Sequence, residues 1–150
     1  MTIGEICTRE VAIVTPHETV LDAAKVMREQ HVGDVIVVEQ RDNQTVPVGI
    51  ITDRDIVIEI LAKDVSLKSV SVNDIMSRDL LTAIETDTIP NIVSQMRNKG
   101  VRRIPVVNNK GGLEGIFSLD DLLELLAEQL NDFVGVIHKE ASQEQRHRSR

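Results

Sequence analysis

Apolar and polar positions follow the same order twice along this chain, and that order predicts two copies of one small unit. Residues 20–27 are apolar at helical spacing and are followed by an apolar run at 34–39. Residues 89–96 and 101–107 repeat this succession. Each copy is predicted to form strand, helix, strand, strand and helix in a mixed α/β (α+β) fold. Because a unit this short buries little surface alone, we expect the two to pack sheet to sheet.

Each copy also carries the same short motif where its last strand meets its last helix. A glycine, two apolar residues, a hydroxyl residue and an aspartate three positions later occur at 49–55 and again at 115–121, 66 positions on. Repetition at a fixed offset indicates a duplicated architecture. The glycine, Gly49 in the first copy, is expected to allow either an unusual φ angle or the close approach of another strand.

The hydroxyl residue and the aspartate of this motif admit two interpretations. Thr52 is a good helix N-cap, and Asp55 at the third helical position would complete a capping box. Alternatively, the free N–H groups of a helix N-terminus suit a phosphate. The Thr52 hydroxyl could then donate to a ligand oxygen while Asp55 accepts from both hydroxyls of a ribose. The motif by itself leaves both interpretations open.

The same patterns set provisional boundaries. We assign residues 1–65 to the first copy and 66–135 to the second. Apolar residues cover more than one side of the helix predicted at 53–62, so it should be buried against the other copy or another subunit. A longer helix is predicted from 119 to about 134, and the polar residues 136–150 are predicted to form a disordered tail.

Composition narrows the class of function. The 150 residues carry a net charge of −7 and include two Phe but no Trp or Tyr. This balance argues against nucleic-acid and anionic-membrane binding, and an aromatic platform for stacking bases is missing. Cys7 is the only cysteine, and neither a metal-ligand spacing nor a catalytic motif is present. No apolar run approaches a membrane span. These features predict a cytoplasmic, non-catalytic protein without a metal.

The ordered set of motifs resembles a tandem pair of cystathionine-β-synthase-type (CBS) domains, the arrangement called a Bateman module. The resemblance rests on residues 75–77 and 101–107, the helices at 23–27 and 92–96, and both glycine–hydroxyl–aspartate motifs, and it covers about residues 1–130. It implies a regulatory module that binds AMP, ADP, ATP, NAD or S-adenosylmethionine and needs no further cofactor. It also implies a homodimer formed through helices and a downstream target protein.

The resemblance further implies two ligand clefts, each with residues from both copies. The first cleft would place Thr52, Arg54 and Asp55 opposite Ser77, Leu81, Arg102 and Arg103. The second cleft would place Ser118 and Asp121 opposite Thr8, Ala12, Val32 and Asp34.

Charge distinguishes these two clefts. The first gathers three arginines, which suit phosphate groups, although Arg102 and Arg103 should point to opposite faces of their strand. In the second, Asp34 would repel a phosphate. We therefore expect a phosphorylated nucleotide to prefer the Asp55 cleft, and the Asp121 cleft to be empty or to hold a neutral or cationic adenosine compound.

A second class of function is compatible with the same residues. The chain could be a dimeric scaffold without a ligand, in which the motifs only cap helices and the exposed helices bind a partner protein. The two hypotheses differ in one observable property, because a ligand that binds the native state must raise its stability.

Overall fold

The computed structural model describes residues 1–148. It divides the chain into two compact units, Met1–Phe117 and Ser118–Arg150. The first unit contains most of both predicted copies. The second consists of the helix that follows the last strand.

The first copy begins with a short helical turn and continues as a three-stranded sheet flanked by helices. Its elements are α1 (Ile3–Ile6), β1 (Ile13–Val14), α2 (Val20–Gln30), β2 (Asp34–Arg41), β3 (Gln44–Thr52) and α3 (Asp53–Ile56). The order in the sheet is β1-β2-β3, with β1 parallel and β3 antiparallel to β2.

The second copy repeats this plan. Its elements are α4 (Val72–Ile75), β4 (Ala83–Ile84), α5 (Ile89–Lys99), β5 (Arg103–Val107), β6 (Leu113–Ser118) and α6 (Leu119–Arg148). The second sheet has the order β4-β5-β6, and β4 runs parallel to β5. The predicted element order and the mixed α/β class are therefore confirmed.

One predicted helix has an unexpected geometry. The helix expected over 53–62 is α-helical only from Asp53 to Ile56 and continues as a π-helix over Val57–Leu61. The backbone N–H of Ala62 donates to the carbonyl oxygen of Val57 at 2.9 Å, the five-residue step of a π-helix. Ile56 and Ile60 are buried, whereas Val57, Ile58 and Leu61 are exposed. One apolar face of this helix is therefore uncovered among residues 1–148.

The two sheets share a small aliphatic core. Ile36 and Val38 of β2 are buried together with Ile116 of β6. Because β2 and β6 belong to different sheets, this contact confirms the predicted packing of sheet on sheet. Val72 and Met76, at the start of the second copy, belong to the core of the first copy. The copies are thus interleaved.

Two reciprocal backbone pairings hold the copies together. Ser77, just after α4, exchanges two hydrogen bonds of 2.9 Å with Ile50 in the sheet of the first copy. Thr8, just after α1, exchanges bonds of 2.9 and 2.8 Å with Ile116 in the sheet of the second copy. Each copy therefore lends a segment to the sheet of the other.

The motif glycines make these pairings possible. A Cβ on Gly49 would lie 2.9 Å from the carbonyl oxygen of Ser77, and one on Gly115 would lie 2.6 Å from that of Thr8. Of the two roles proposed for this glycine, close approach of another strand is the one the structure shows. Neither Gly49 nor Gly115 has a positive φ angle.

The C-terminal region corrects one prediction. The sequence predicts a disordered tail over 136–150, but α6 continues without a break to Arg148. Residues 138–148 contain no Gly or Pro and are rich in Lys, Glu, Gln, Arg and Ala, which all favour a helix. Polar composition alone therefore misled the prediction; residues 149 and 150 lie outside the described residues. The predicted copy boundaries, 1–65 and 66–135, stay predictions.

Across residues 1–148, none of the helices combines the length and the apolar character needed to cross a membrane.

The glycine contacts yield a stability prediction. Gly115→Ala should lower the free energy of unfolding by about 1–3 kcal/mol, because the new methyl group meets a backbone oxygen that cannot rotate away. Gly135→Ala, on α6, is the matched control, since a Cβ there meets nothing within 4 Å. It should stabilise the helix by up to about 1 kcal/mol. Urea unfolding at one protein concentration measures both, and equal effects would contradict the assigned role of Gly115.

Candidate functional site

The first motif forms a complete helix cap. The backbone N–H of Asp55 donates to Thr52 Oγ1 at 3.1 Å, and the backbone N–H of Thr52 donates to Asp55 Oδ2 at 3.0 Å. Thr19 and Asp22 make the same two bonds at the start of α2, outside both predicted clefts. The capping interpretation is thus confirmed, and the cap alone does not indicate a ligand.

The cap nevertheless leaves ligand-binding capacity at this helix start. It uses Oδ2 of Asp55 but not Oδ1, and it uses the Thr52 hydroxyl as an acceptor but not as a donor. The side chain of Arg54 is exposed next to these groups along the chain. One carboxylate oxygen, one hydroxyl proton and one guanidinium group are available without disturbing the cap.

Strand pairing brings residues from both copies to this helix start. Ser77 of the second copy pairs with Ile50, two residues before Thr52 on β3. On the other side of β3, Thr52 is the partner of Asp34 at the start of β2. Thr52 therefore lies in the middle of three neighbouring segments, one of which comes from the other copy.

Arg103 of the second copy reaches the same place. Its Nε lies 3.2 Å from Oδ2 of Asp34, and the side chains of Arg103 and Asp34 are 31% and 15% exposed. The sequence predicted that Arg103 lies in the first cleft and Asp34 in the second. Because the two residues are in contact, that separation of their charges is wrong. The two residues are 69 positions apart, which is the offset between β2 and β5, so they occupy equivalent places in the two copies. That offset is the sequence signal by which their contact could have been found.

The Asp34 carboxyl is electrostatically unusual. Burial raises its pKa above the ordinary value, the nearby Arg103 guanidinium partly opposes this, and Asp53 adds a smaller upward effect. Asp53 is fixed close by, because its backbone N–H donates to the carbonyl oxygen of Gly33 at 2.9 Å. The sequence patterns assign Asp53 no role. Its effect on the pKa of Asp34 arises from this loop contact.

The Arg103 guanidinium keeps one donor unsatisfied. Its Nε is buried and makes no hydrogen bond, since Asp34 Oδ2 is near enough for an ion pair but not aligned with the N–H. A buried donor without an acceptor costs roughly 1–3 kcal/mol. Arg102, the preceding residue, is exposed, in agreement with the expected opposite directions of the two side chains.

The other predicted site residues are less closely grouped. Leu81 is half-buried before β4, and Ala12 is buried before β1, where its carbonyl oxygen accepts from Ile36 at 3.0 Å. Thr8 pairs with Ile116, and Val32 ends α2 through a bond to Met27.

The second motif begins the C-terminal unit. Ser118 is buried and its Oγ accepts from the backbone N–H of Asp120 at 3.1 Å. Asp121 is exposed.

In the described part of the chain, no group of three His, Cys, Asp or Glu side chains could hold a metal ion.

Comparison with known sequences identifies a family. The sequence model of the CBS domain matches residues 3–62 and 72–128. An uncharacterised protein of Methanopyrus kandleri is 36% identical over 125 residues, 83% of this chain but 62% of that protein, so this chain spans under two-thirds of that relative. The CBS domain-containing protein YhcV of Bacillus subtilis is 32% identical over 120 residues, 80% of this chain and 81% of the relative.

Comparison with solved structures agrees on the fold. A hexameric CBS-CP12 protein from bloom-forming cyanobacteria has a TM-score of 0.71 and 28% identity, over 82% of this chain and 66% of that one. A CBS domain pair solved with 5′-methylthioadenosine and S-adenosyl-L-methionine has a TM-score of 0.74 and 22% identity, over 86% and 98% of the chains. At 22% identity, the similarity to this second structure shows a shared fold only.

The raised pKa of Asp34 predicts a pH effect of definite sign. The folded protein holds the Asp34 proton more tightly than the unfolded chain, whose value is near 3.8. Wild type should therefore lose stability relative to Asp34→Asn as pH rises from about 4 through the raised pKa. Unfolding free energies measured from pH 3.5 to 7 test this.

Asp22→Asn is the control of opposite sign. The backbone and side-chain hydrogen bonds of Thr19 lower the pKa of Asp22. Its stabilising contribution is present above the unfolded value and lost as pH falls through the lowered pKa. Parallel pH profiles for the two variants would refute the assignment for Asp34.

Proposed function

Because this chain belongs to the CBS domain family, we propose that it is a non-catalytic regulatory module that binds an adenosine-containing ligand between its two copies. The ligand class comprises AMP, ADP, ATP, NAD and S-adenosylmethionine. A CBS domain pair of the same fold binds 5′-methylthioadenosine and S-adenosyl-L-methionine, and this supports an adenosine compound here.

One observation carries the proposal. Arg103 of the second copy contacts Asp34, and Asp34 is the strand partner of Thr52, which caps the helix of Asp55. A cation from one copy thus contacts the residue that is paired, along the sheet, with the hydroxyl residue of the cap in the other copy. Charged groups of this kind are costly to bury without a partner, so their convergence favours a ligand that uses both signs of charge.

Each part of a nucleotide has a matching group. Asp55 Oδ1 accepts from the ribose hydroxyls, as acidic residues do in dinucleotide sites. The exposed guanidinium of Arg54 donates to phosphate oxygens. With two Phe and no Trp or Tyr in the chain, the adenine lies against aliphatic side chains rather than between aromatic rings.

Regulation follows from the interleaved copies. A ligand that touches Asp55 and Arg103 together binds most tightly to one arrangement of the two copies, and it shifts the population toward that arrangement. The protein acts as a homodimer whose target protein responds to this shift. AMP and other phosphorylated nucleotides bind beside Asp55, where the exposed Arg54 guanidinium serves their phosphate groups.

A ligand-free scaffold is the second candidate function. The exposed apolar side chains Val57, Ile58 and Leu61 on the π-helix favour it, since such groups mark protein contacts. On this hypothesis the caps are purely structural, and none of AMP, ATP, NAD or S-adenosylmethionine raises the melting temperature.

The sensor hypothesis predicts stabilisation by a nucleotide. AMP at 100 times its dissociation constant should stabilise the native protein by about 2.7 kcal/mol. Asp55→Ala should weaken AMP binding about 10- to 100-fold, the loss expected for hydrogen bonds to a charged group. Isothermal titration and thermal unfolding with AMP, ATP, NAD and S-adenosylmethionine measure both effects.

Two control variants separate binding from folding. Asp22→Ala removes an equivalent cap from α2, so it should cost similar stability but leave AMP affinity unchanged. Asp121→Ala should also retain AMP binding. Equal losses of affinity in the Asp55 and Asp22 variants would show that the cap, rather than the carboxylate, is responsible. Stabilisation by none of the four compounds would favour the scaffold.

A further inference from the structure

The first three backbone N–H groups of α3 already have acceptors within the protein. The N–H of Asp53 donates to the carbonyl oxygen of Gly33 at 2.9 Å, and the N–H of Arg54 donates to Oδ1 of Asp53 at 2.8 Å. The N–H of Asp55 donates to Thr52 Oγ1 at 3.1 Å. A phosphate at a helix start is normally bound through these first N–H groups. A phosphate at the start of α3 would therefore find all three of them engaged.

The Asp53 carboxylate takes the place of an anion at this helix start. It accepts from the N–H of Arg54, the second residue of α3, where the positive end of the helix dipole favours negative charge. Its other oxygen faces the preceding loop, since a Cβ built on Gly33 would lie 3.0 Å from Oδ2 of Asp53. Contacts on both sides thus hold this carboxylate next to the cap formed by Thr52 and Asp55.

The charge of Asp53 is felt across the site. Burial raises the pKa of Asp34, Arg103 partly opposes this rise, and the Asp53 carboxylate adds to it. The Arg103 guanidinium is itself engaged with Asp34 at 3.2 Å. Together with Asp55 and Arg54, these residues carry three carboxylates and two guanidinium groups. The surroundings of the helix start are therefore not electropositive, although an arginine is exposed there.

From these contacts we infer that Asp53 is a specificity-determining residue, which makes the site accept adenosine compounds with few negative charges, such as AMP, and discriminate against ADP and ATP. The inference rests on the proposed function, because it concerns which adenosine compound the same site takes. A single phosphate is served by the exposed Arg54 guanidinium. Each further phosphate adds negative charge near the Asp53 carboxylate, and the engaged N–H groups of α3 do not offset that repulsion.

The test measures the affinities of adenosine, AMP, ADP and ATP for the full chain by isothermal titration without divalent cations. In wild type the affinity should fall from AMP through ADP to ATP. Asp53→Asn keeps an oxygen that can accept from the Arg54 N–H but removes the charge. It should therefore raise the affinity for ATP relative to AMP about 3- to 10-fold. This relative gain should shrink at about 0.5 M salt, because screening weakens the repulsion in wild type.

Asp64→Asn is the matched control. Asp64 is exposed, lies beyond the far end of the same helix, and has a φ angle of 54° that asparagine tolerates. The substitution changes the net charge of the chain by the same amount as Asp53→Asn, but far from the helix start. The ratio of AMP to ATP affinity should therefore stay at its wild-type value.

Asp53→Ala separates the charge from the hydrogen bond. It removes the carboxylate and also frees the N–H of Arg54, so ATP should gain more affinity relative to AMP than in Asp53→Asn. Thermal unfolding without ligand shows whether each variant is folded before its affinities are compared.

The possible outcomes distinguish this inference from the proposed function. If wild type binds AMP and ATP equally, or if Asp53→Asn keeps the wild-type ratio of affinities, the inference is overturned while adenosine binding stands. An equal gain for ATP in Asp64→Asn would assign the effect to net charge and would also overturn the role of Asp53. If none of the four compounds binds wild type, the proposed function fails and the inference fails with it.

Discussion

The exchange of backbone segments between the copies is the constraint on which the rest of the structure depends. Ser77 pairs with Ile50, and Thr8 pairs with Ile116, through two hydrogen bonds each. Backbone groups buried in a sheet edge must find partners, and each copy finds them in the other. The glycines of the motif permit the approach because a Cβ would meet a carbonyl oxygen. Neither copy is complete without the other.

That exchange also brings the charged groups together. Once the sheets are joined, the starts of β2 and β5 meet, so Asp34 and Arg103 form a partly buried ion pair. The pair compensates both charges incompletely, because burial still raises the pKa of Asp34 and Arg103 Nε still lacks an acceptor. This ion pair joins one charged residue of each copy.

The apolar side chains are divided between a small buried core and exposed helix surfaces. The aliphatic core between the sheets is small, with Ile36, Val38 and Ile116 at its centre. Much of the remaining apolar surface is on helices, along the π-helix and along α6, and it is exposed in a single chain. Exposed apolar faces of this extent mark protein contacts. The buried aliphatic residues thus join the copies, whereas the helix surfaces keep large apolar side chains exposed.

The sequence by itself determined the duplication, the element order and the cap of Thr52 with Asp55, because periodicity, fixed offsets and neighbouring residues are local properties. It left open whether Gly49 serves an unusual backbone angle or a close approach, and only the pairing with Ser77 decided this. The partner of Arg103 also required the tertiary structure, since two residues 69 positions apart meet only after the sheets pack. The length of α6 was misjudged because a polar segment without glycine or proline suits both a disordered tail and a helix. The physical reason is that local conformation depends on neighbouring residues in the sequence, whereas contacts between the copies depend on how their two surfaces pack together.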